Sequence, residues 1–321
     1  MIDRRFCIAP MMDWTDRHDR VFLRKFSRNI LLYTEMVTSA SLEYGDAEYL
    51  LKYNKEEHPV ALQIGGSKIT ELMHSAVLGE KAGFDEINLN VGCPSDRVQS
   101  GNFGACLMAK PKLVADCVKG MIDSVNNIPI TVKCRTGVDN LDSQSRLLEF
   151  IGTISEVGCK TFIIHARKAI LSGLTPKENR EIPPLNYQRV FSVKETFPEL
   201  EIIINGGITN LPDAKSFLKR VDGVMVGREA YQNPFFLEKV DEFVFNNSSK
   251  GKSRIDYLES YIPYVESELR RGTPLKHMTR HILGLFKGQR GGKQFRRHLS
   301  ENSYKEHSGI EVISDALKFV T

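Results

Sequence analysis

The sequence predicts an α/β fold: a (β/α)8 barrel followed by an all-helical C-terminal domain. Three observations carry that expectation. Strand-like segments recur eight times before Arg228, at a spacing of roughly thirty residues, the size of a βαβ unit. Helical stripes fill the gaps between them. After Arg228 the alternation stops, and a polar run leads into helical segments only. Eight strand–helix alternations favour a closed barrel of the TIM type over an open doubly wound sheet. The open sheet also calls for a glycine-rich turn after its first strand, and Ala9-Pro10-Met11-Met12 offers none.

The expected strands are Phe6–Ala9, Leu31–Val37, Val60–Ile64, Glu86–Val91, Ile130–Lys133, Thr161–His165, Glu201–Asn205 and Gly223–Val226. Between them, Ile69, Leu72, Met73, Ala76 and Val77 follow the i, i+3, i+4 spacing of an amphipathic helix that stops at Gly83. Val114, Val118, Met121, Ile122 and Val125 make a second stripe, and Leu147, Leu148, Ile151 and Ile154 a third. We therefore expect a catalytic barrel over residues 1–245, a polar linker over 246–253 and a helical domain over 254–321, with helices at Asp256–Arg271, Pro274–Gly288, Lys293–Asn302 and Ile310–Phe319.

Composition excludes several classes. Hydrophobic content of 41% and charged content of 26% are ordinary for a globular chain. The first residues lack the apolar core of a signal peptide, and no apolar run reaches membrane-spanning length. Six cysteines without a CxxC pair suit a reduced, cytoplasmic setting and argue against a disulfide framework or a structural zinc site. We expect a monomer without a metal. Charge is segregated: Leu269–Ser300 holds nine Lys and Arg and no Asp or Glu, leaving the rest at −5 within a total of +4. Such a stretch suits a polyanion. The plainer alternative is that these cations pair with acidic residues of the barrel and tie the two parts together.

A barrel places its chemistry at the C-terminal ends of its strands, so one face can be assembled from sequence. It gathers Pro10, Met11 and Met12 after strand one, Gln63 near the end of strand three, and Asn90 and Cys93 at strand four. Lys133 and Arg135, His165, Asn205-Gly206-Gly207 and Gly227-Arg228 follow from strands five to eight. In Asn88-Leu89-Asn90-Val91-Gly92-Cys93-Pro94, Asn88 and Asn90 share a strand face. Gly92 and Pro94 are expected to end the strand and hold the thiol on a constrained backbone. Free cysteines are often merely buried, but a rigid thiol beside two amides suits a heterocycle with donors and acceptors. The loops after strands seven and eight are the usual phosphate site of such barrels. A lysine at the barrel centre matches the negative charge that a reduced flavin carries near N1 and O2.

Pro10-Met11-Met12-Asp13-Trp14-Thr15-Asp16, the Cys93 motif, Gly101 to Met108 (GNFGACLM), Lys133-Cys134-Arg135, His165-Ala166-Arg167-Lys168, Asn205-Gly206-Gly207-Ile208 and Gly227-Arg228 together resemble the tRNA-dihydrouridine synthase family over essentially the whole chain. Lys177 to Pro184 and the Arg280–Ser300 stretch resemble its A-type branch. The resemblance implies an FMN enzyme that uses NADPH to reduce uridines of the tRNA D-loop, expected at positions 20 and 20a. It implies that Pro10, Met11, Met12, Gln63, Lys133, His165, Asn205, Gly206, Gly207, Gly227 and Arg228 hold FMN, and that Cys93 is the proton donor. It also implies that Asn90, Lys177 and Arg180 contact the RNA. The charge pattern adds Arg290, Lys293, Arg296 and Arg297 as the densest cluster for the tRNA body. Because Arg296 and Arg297 are adjacent, they must diverge by about 100° on a helix, so one of them faces RNA while the other packs or stays solvated.

Two other readings remain open on the residues. A barrel flavoenzyme acting on a free pyrimidine, like a dihydroorotate dehydrogenase, leaves the basic stretch unused, and tRNA retention at moderate salt separates it. A non-catalytic RNA-binding protein leaves the polar strand ends unused, and a yellow colour on purification disposes of it.

Overall fold

A computed structural model describes residues 2–247 and 251–321. The eight expected strands form: β1 (Phe6–Ile8), β2 (Leu32–Thr38), β3 (Val60–Gly65), β4 (Glu86–Val91), β5 (Ile130–Arg135), β6 (Thr161–His165), β7 (Glu201–Asn205) and β8 (Gly223–Val226). All pairings are parallel, in the order β1-β8-β7-β6-β5-β4-β3-β2. The ring closes where Ile8 N–H donates to the Leu31 carbonyl at 2.9 Å and Leu31 N–H to that of Phe6 at 3.0 Å. This is a TIM barrel wrapped by helices, with a helical C-terminal part.

Strand parity sorts the side chains. On β4, Ile87, Leu89 and Val91 join the large core between strands and helices, whereas Glu86, Asn88 and Asn90 take part in side-chain hydrogen bonds across the strands. On β5, Val132 and Cys134 belong to that outer core. Cys7, Ala9, Leu31, Tyr33, Ala61, Ile163, Ile203 and Met225 form a separate apolar cluster inside the ring. Below it, Arg4 Nε donates to Glu86 at 2.6 Å and Arg4 Nη1 to Glu201 at 3.0 Å. The barrel is thus filled by apolar side chains in the middle, ion-paired at its floor and left polar at its mouth.

The helical stripes pack much as their spacing predicts. Leu72 and Ala76 are buried in the helix Ile69–Ala82, although Ile69 at its start is exposed. Val114, Val118 and Met121 are buried in Pro111–Ser124, and Leu147, Ile151 and Ile154 in Gln144–Glu156. Each buried Val, Leu, Ile or Met among them contributes about 1.5–3 kcal/mol by leaving water.

The C-terminal helices are Arg254–Arg270, Lys276–Ile282, Gly292–Asn302 and Glu311–Leu317. Ser253 caps the first through a reciprocal bond with Asp256. The helix expected over Pro274–Gly288 stops at Ile282. There the chain must pass close to the barrel: a Cβ on Gly284 would lie 2.6 Å from the Gln232 carbonyl oxygen. Tyr257, Tyr261 and Tyr264 pack on Phe22, Phe26 and His18 of the barrel, and the apolar core runs on into these helices. Of the expected linker, Asn246, Asn247 and Gly251–Ser253 are described, and residues 248–250 lie outside the described residues.

Candidate active site

The strand ends bring together Pro10–Met12, Gln63, Asn90, Cys93, Lys133, His165, Asn205–Gly207, Gly227 and Arg228. Register alignment sets Asn90 beside Lys133, Arg135 beside His165, and His165 beside Asn205. Met12 is exposed, while Gln63, Asn90, His165 and Asn205 are buried or nearly so.

Cys93 is held by its backbone. The Asn90 side-chain oxygen accepts from Gly92 N–H at 3.0 Å and from Cys93 N–H at 2.9 Å. The Gly92 carbonyl accepts from Arg135 Nε at 2.8 Å, and the Cys93 carbonyl from Ala105 N–H at 2.9 Å. Gly92 adopts no left-handed backbone angle. The strand therefore ends because Asn90 captures the next two amides, a local competition at which Asn excels, rather than through glycine freedom. The Cys93 thiol lies 3.6 Å from the Ser95 hydroxyl. Asn90 donates its amide N–H to Gln63 Oε1 at 2.8 Å, so both ends of its amide are engaged within the protein.

Arg135, 4% exposed, was visible in sequence only as a strand-end cation. Its Nη1 donates to the carbonyls of Lys168 at 3.0 Å and Asn179 at 3.1 Å. Asn179 is fully buried: its side chain accepts from Ile170 N–H and donates to the carbonyls of Ile170 and Leu174. Together they fix the loop carrying exposed Lys177 and half-buried Arg180 against the Cys93 turn. The alternation Thr131, Lys133, Arg135 on one strand face signals Arg135; Asn179 sits in a loop and has no such signal.

The mouth is electropositive. Burial and the neighbouring Arg135 pull the Lys133 ammonium down to about 8, and it makes no hydrogen bond or ion pair among the described residues. Burial likewise lowers Arg135 to about 10 and depresses Arg167 and Arg180. His165 is pushed well below the usual imidazole range by burial and by Arg135 and Lys133, so it is neutral at pH 7. Lys133, Arg135 and Arg180 all lie within electrostatic reach of Cys93.

At β7 and β8, Asn205 Nδ2 donates to the Met225 carbonyl at 2.8 Å, and Tyr187 O–H to that of Gly206 at 2.9 Å. Gly206 and Gly207 have φ of +120° and +69°. A Cβ on Gly206 would lie 2.7 Å from the His165 ring, and one on Gly207 2.8 Å from the Tyr187 hydroxyl. Only glycine satisfies both the angle and the space. The backbone N–H groups of Gly206, Gly207 and Gly227 donate to no other group among the described residues. Arg228 pairs with Glu181 at 2.9 Å.

The four cations of the basic stretch lie elsewhere. Lys293, Arg296 and Arg297 project from Gly292–Asn302, with Arg290 just before it, and all four are exposed. Arg296 and Arg297 both stay solvated, since Gly292, Phe295 and Leu299 take the buried face of the helix. Arg297 pairs with Glu301 at 2.7 Å on its own helix. The ties to the barrel are made instead by Arg280 to Asp16 at 2.5 Å and by Glu268 to Arg17 at 2.5 Å.

No helix among the described residues is long and apolar enough to cross a membrane. Among them there is also no cluster of three or more His, Cys, Asp or Glu arranged to hold a metal.

Comparison with known proteins places this geometry. A 2-naphthoyl-CoA reductase structure is similar with a TM-score of 0.56 at 13% identity, over 74% of this chain and 50% of that one, a likeness of fold alone. The tRNA-dihydrouridine(20/20a) synthase of Escherichia coli O6:H1 is 58% identical over 98% of this chain and 95% of its own length. The synthases of that name from Yersinia pestis and Vibrio cholerae are each 55% identical, over 99% and 98% of this chain and 92% and 95% of theirs. The family model of dihydrouridine synthase matches residues 7–321. The chain therefore belongs to the dihydrouridine synthase family, in its A-type branch, and is an oxidoreductase.

Proposed function

We propose that this enzyme reduces uridine to 5,6-dihydrouridine in the D-loop of tRNA, at positions 20 and 20a, with FMN as cofactor and NADPH as electron source. The observation that carries the reading is the backbone-clamped Cys93 in a mouth where Lys133 and Arg135 have no acidic partner among the described residues. The position within the loop comes from the name of the relatives.

The residues present fit FMN. Gly206, Gly207 and Gly227 offer unused backbone donors in a cradle that a Cβ would fill at the first two positions, and the Arg228 guanidinium would join them on the phosphate. Pro10, Met11, Met12, Gln63 and neutral His165 would line the ring system, and the unpaired Lys133 ammonium would face its pyrimidine end. When bound, FMN supplies the hydride that C6 of the uracil receives.

The chain's own part is proton delivery and positioning. A thiol can serve as a general acid, and Cys93 gives its proton to C5. The Asn90 clamp fixes the thiol relative to the base, and Arg135 fixes the loop that presents Lys177 and Arg180 to the RNA. The uridine has to leave its stack to enter a mouth walled by strand ends. Arg290, Lys293, Arg296 and Arg297 hold the tRNA body through phosphates. There is no dinucleotide-binding fingerprint, so NADPH uses the same mouth before tRNA. Purified protein reconstituted with FMN and NADPH should form dihydrouridine in an unmodified tRNA transcript and leave free uridine unreduced. Turnover of the free pyrimidine at a comparable rate would contradict the reading.

A further inference from the structure

A line of buried polar side chains runs from the floor of the barrel to the Cys93 turn. Glu86 sits at the floor, with Oε2 on Arg4 at 2.6 Å and Oε1 accepting from Tyr33 O–H and Thr131 O–H, both at 2.6 Å. Thr131 Oγ1 accepts from Asn88 Nδ2 at 2.8 Å, and Asn88 Oδ1 accepts from Gln63 Nε2 at 2.7 Å. Gln63 Oε1 accepts from Asn90 Nδ2 at 2.8 Å, and Asn90 Oδ1 accepts from the N–H groups of Gly92 and Cys93. Glu86, Thr131 and Asn88 are fully buried, and Gln63 is 1% exposed.

Both ends of this line have fixed polarity. A carboxylate held by an arginine can only accept, and a backbone N–H can only donate. Read upward, Glu86 makes Thr131 donate. That leaves the Thr131 lone pairs for the Asn88 amine, the Asn88 oxygen for the Gln63 amine, and the Gln63 oxygen for the Asn90 amine. Read downward from Cys93 N–H, each amide takes the same orientation. Turning any one of them over would set amine against amine and oxygen against oxygen in a buried site, where unmade hydrogen bonds are costly.

We infer that Thr131 and Asn88 are positioning residues, which with Glu86 set the orientation of the Gln63 and Asn90 amides and so hold the Cys93 turn. Neither touches the mouth directly. Their effect on turnover rests on the proton-donor reading of Cys93; their effect on the Cys93 turn does not.

The test uses Thr131→Val, which keeps the shape and removes the link, and Thr131→Ser, which keeps the hydroxyl. Alkylation of Cys93 by iodoacetamide is followed by peptide mass in flavin-free protein, with Cys106 as internal reference. Thr131→Val is expected to change the Cys93 rate at least about threefold relative to Cys106, and Thr131→Ser to leave it near wild type. In FMN-loaded protein, Thr131→Val should slow reoxidation of the flavin by tRNA about 10- to 100-fold, the scale of a small misplacement at a reacting centre. Reduction by NADPH should stay within about twofold, and Thr131→Ser should restore reoxidation. An unchanged Cys93 alkylation rate in Thr131→Val overturns the inference, as does a loss shared equally by Thr131→Ser. If Thr131→Val does not fold, Thr131→Ala takes its place with the same expected outcomes. Full turnover by Cys93→Ala would overturn the proton-donor reading instead, and the alkylation rates would still decide the inference.

Discussion

On the proposed function, Cys93 and Lys133 divide the work of the mouth by protonation chemistry. General acid catalysis is typically worth about 10²- to 10⁴-fold. Cys93→Ala should therefore accept electrons from NADPH and bind tRNA normally while reducing uridine slower by about that factor, as read by rapid mixing. Cys106, whose thiol donates to the Phe103 carbonyl at 3.2 Å, is engaged locally and is not expected to substitute. On the same proposal Lys133 acts through charge. Its ammonium, lowered to about 8, remains largely charged at pH 7, and a developing anion beside it would raise it again. Lys133→Ala should make the bound flavin harder to reduce and slow turnover by about 10²-fold, with FMN affinity changed less. Spectroelectrochemistry giving an unchanged flavin potential would remove Lys133 from that role.

At the scale of elements, the helix Gly292–Asn302 is the surface proposed to face a polyanion, since four exposed cations lie on or just before it and, among the described residues, only one is paired, within the helix itself. Withdrawing one cation from a phosphate should flatten the log–log salt dependence of tRNA binding by roughly 0.7–0.9. Arg296→Ala should show that change with the flavin half-reaction untouched; a fall in melting temperature with an unchanged slope would assign the residue to structure instead. Strands were legible because β-period and length agree, and the mouth because strand ends and chemistry coincide. The domain tie was not. Arg280 and Glu268 look like any other surface charges of a helix in sequence, and only the docking of Tyr261 and Tyr264 on the first barrel helix, Arg17–Arg24, shows which charges meet. The early end of Lys276–Ile282 was equally hidden, since a close approach of Gly284 to Gln232 is a long-range fact. The uniform direction of the Glu86-to-Cys93 line is likewise a tertiary property, although Asn88 and Asn90 announce their shared face.

The whole molecule couples barrel and helices through buried charge. Glu268, with its side chain 1% exposed, binds Arg17, Arg271 and Thr273, and these partners outweigh burial to hold its carboxyl down at about 2. Its ordinary value is 4.5. A depressed carboxyl contributes stability that is full above about pH 4.5 and is lost as pH falls toward 2. Glu268→Gln should melt lower at pH 7 and show a shallower loss of melting temperature between pH 4.5 and 2 than wild type. Asp16, depressed by its bond and charge interaction with His281, keeps a residual slope in the variant. Parallel curves would show that the Glu268 cluster does not hold the two parts together. That coupling matters because the proposed activity needs the mouth to face the extruded base while the helix Gly292–Asn302 holds the tRNA body. The most direct measurement is mapping of dihydrouridine in tRNA from cells lacking this protein and re-supplied with wild type or Cys93→Ala. The modification should disappear at positions 20 and 20a, return with wild type and fail to return with Cys93→Ala. Undiminished dihydrouridine at both positions in the deficient cells, or full restoration by Cys93→Ala, would contradict the proposed activity and the place of Cys93 in it.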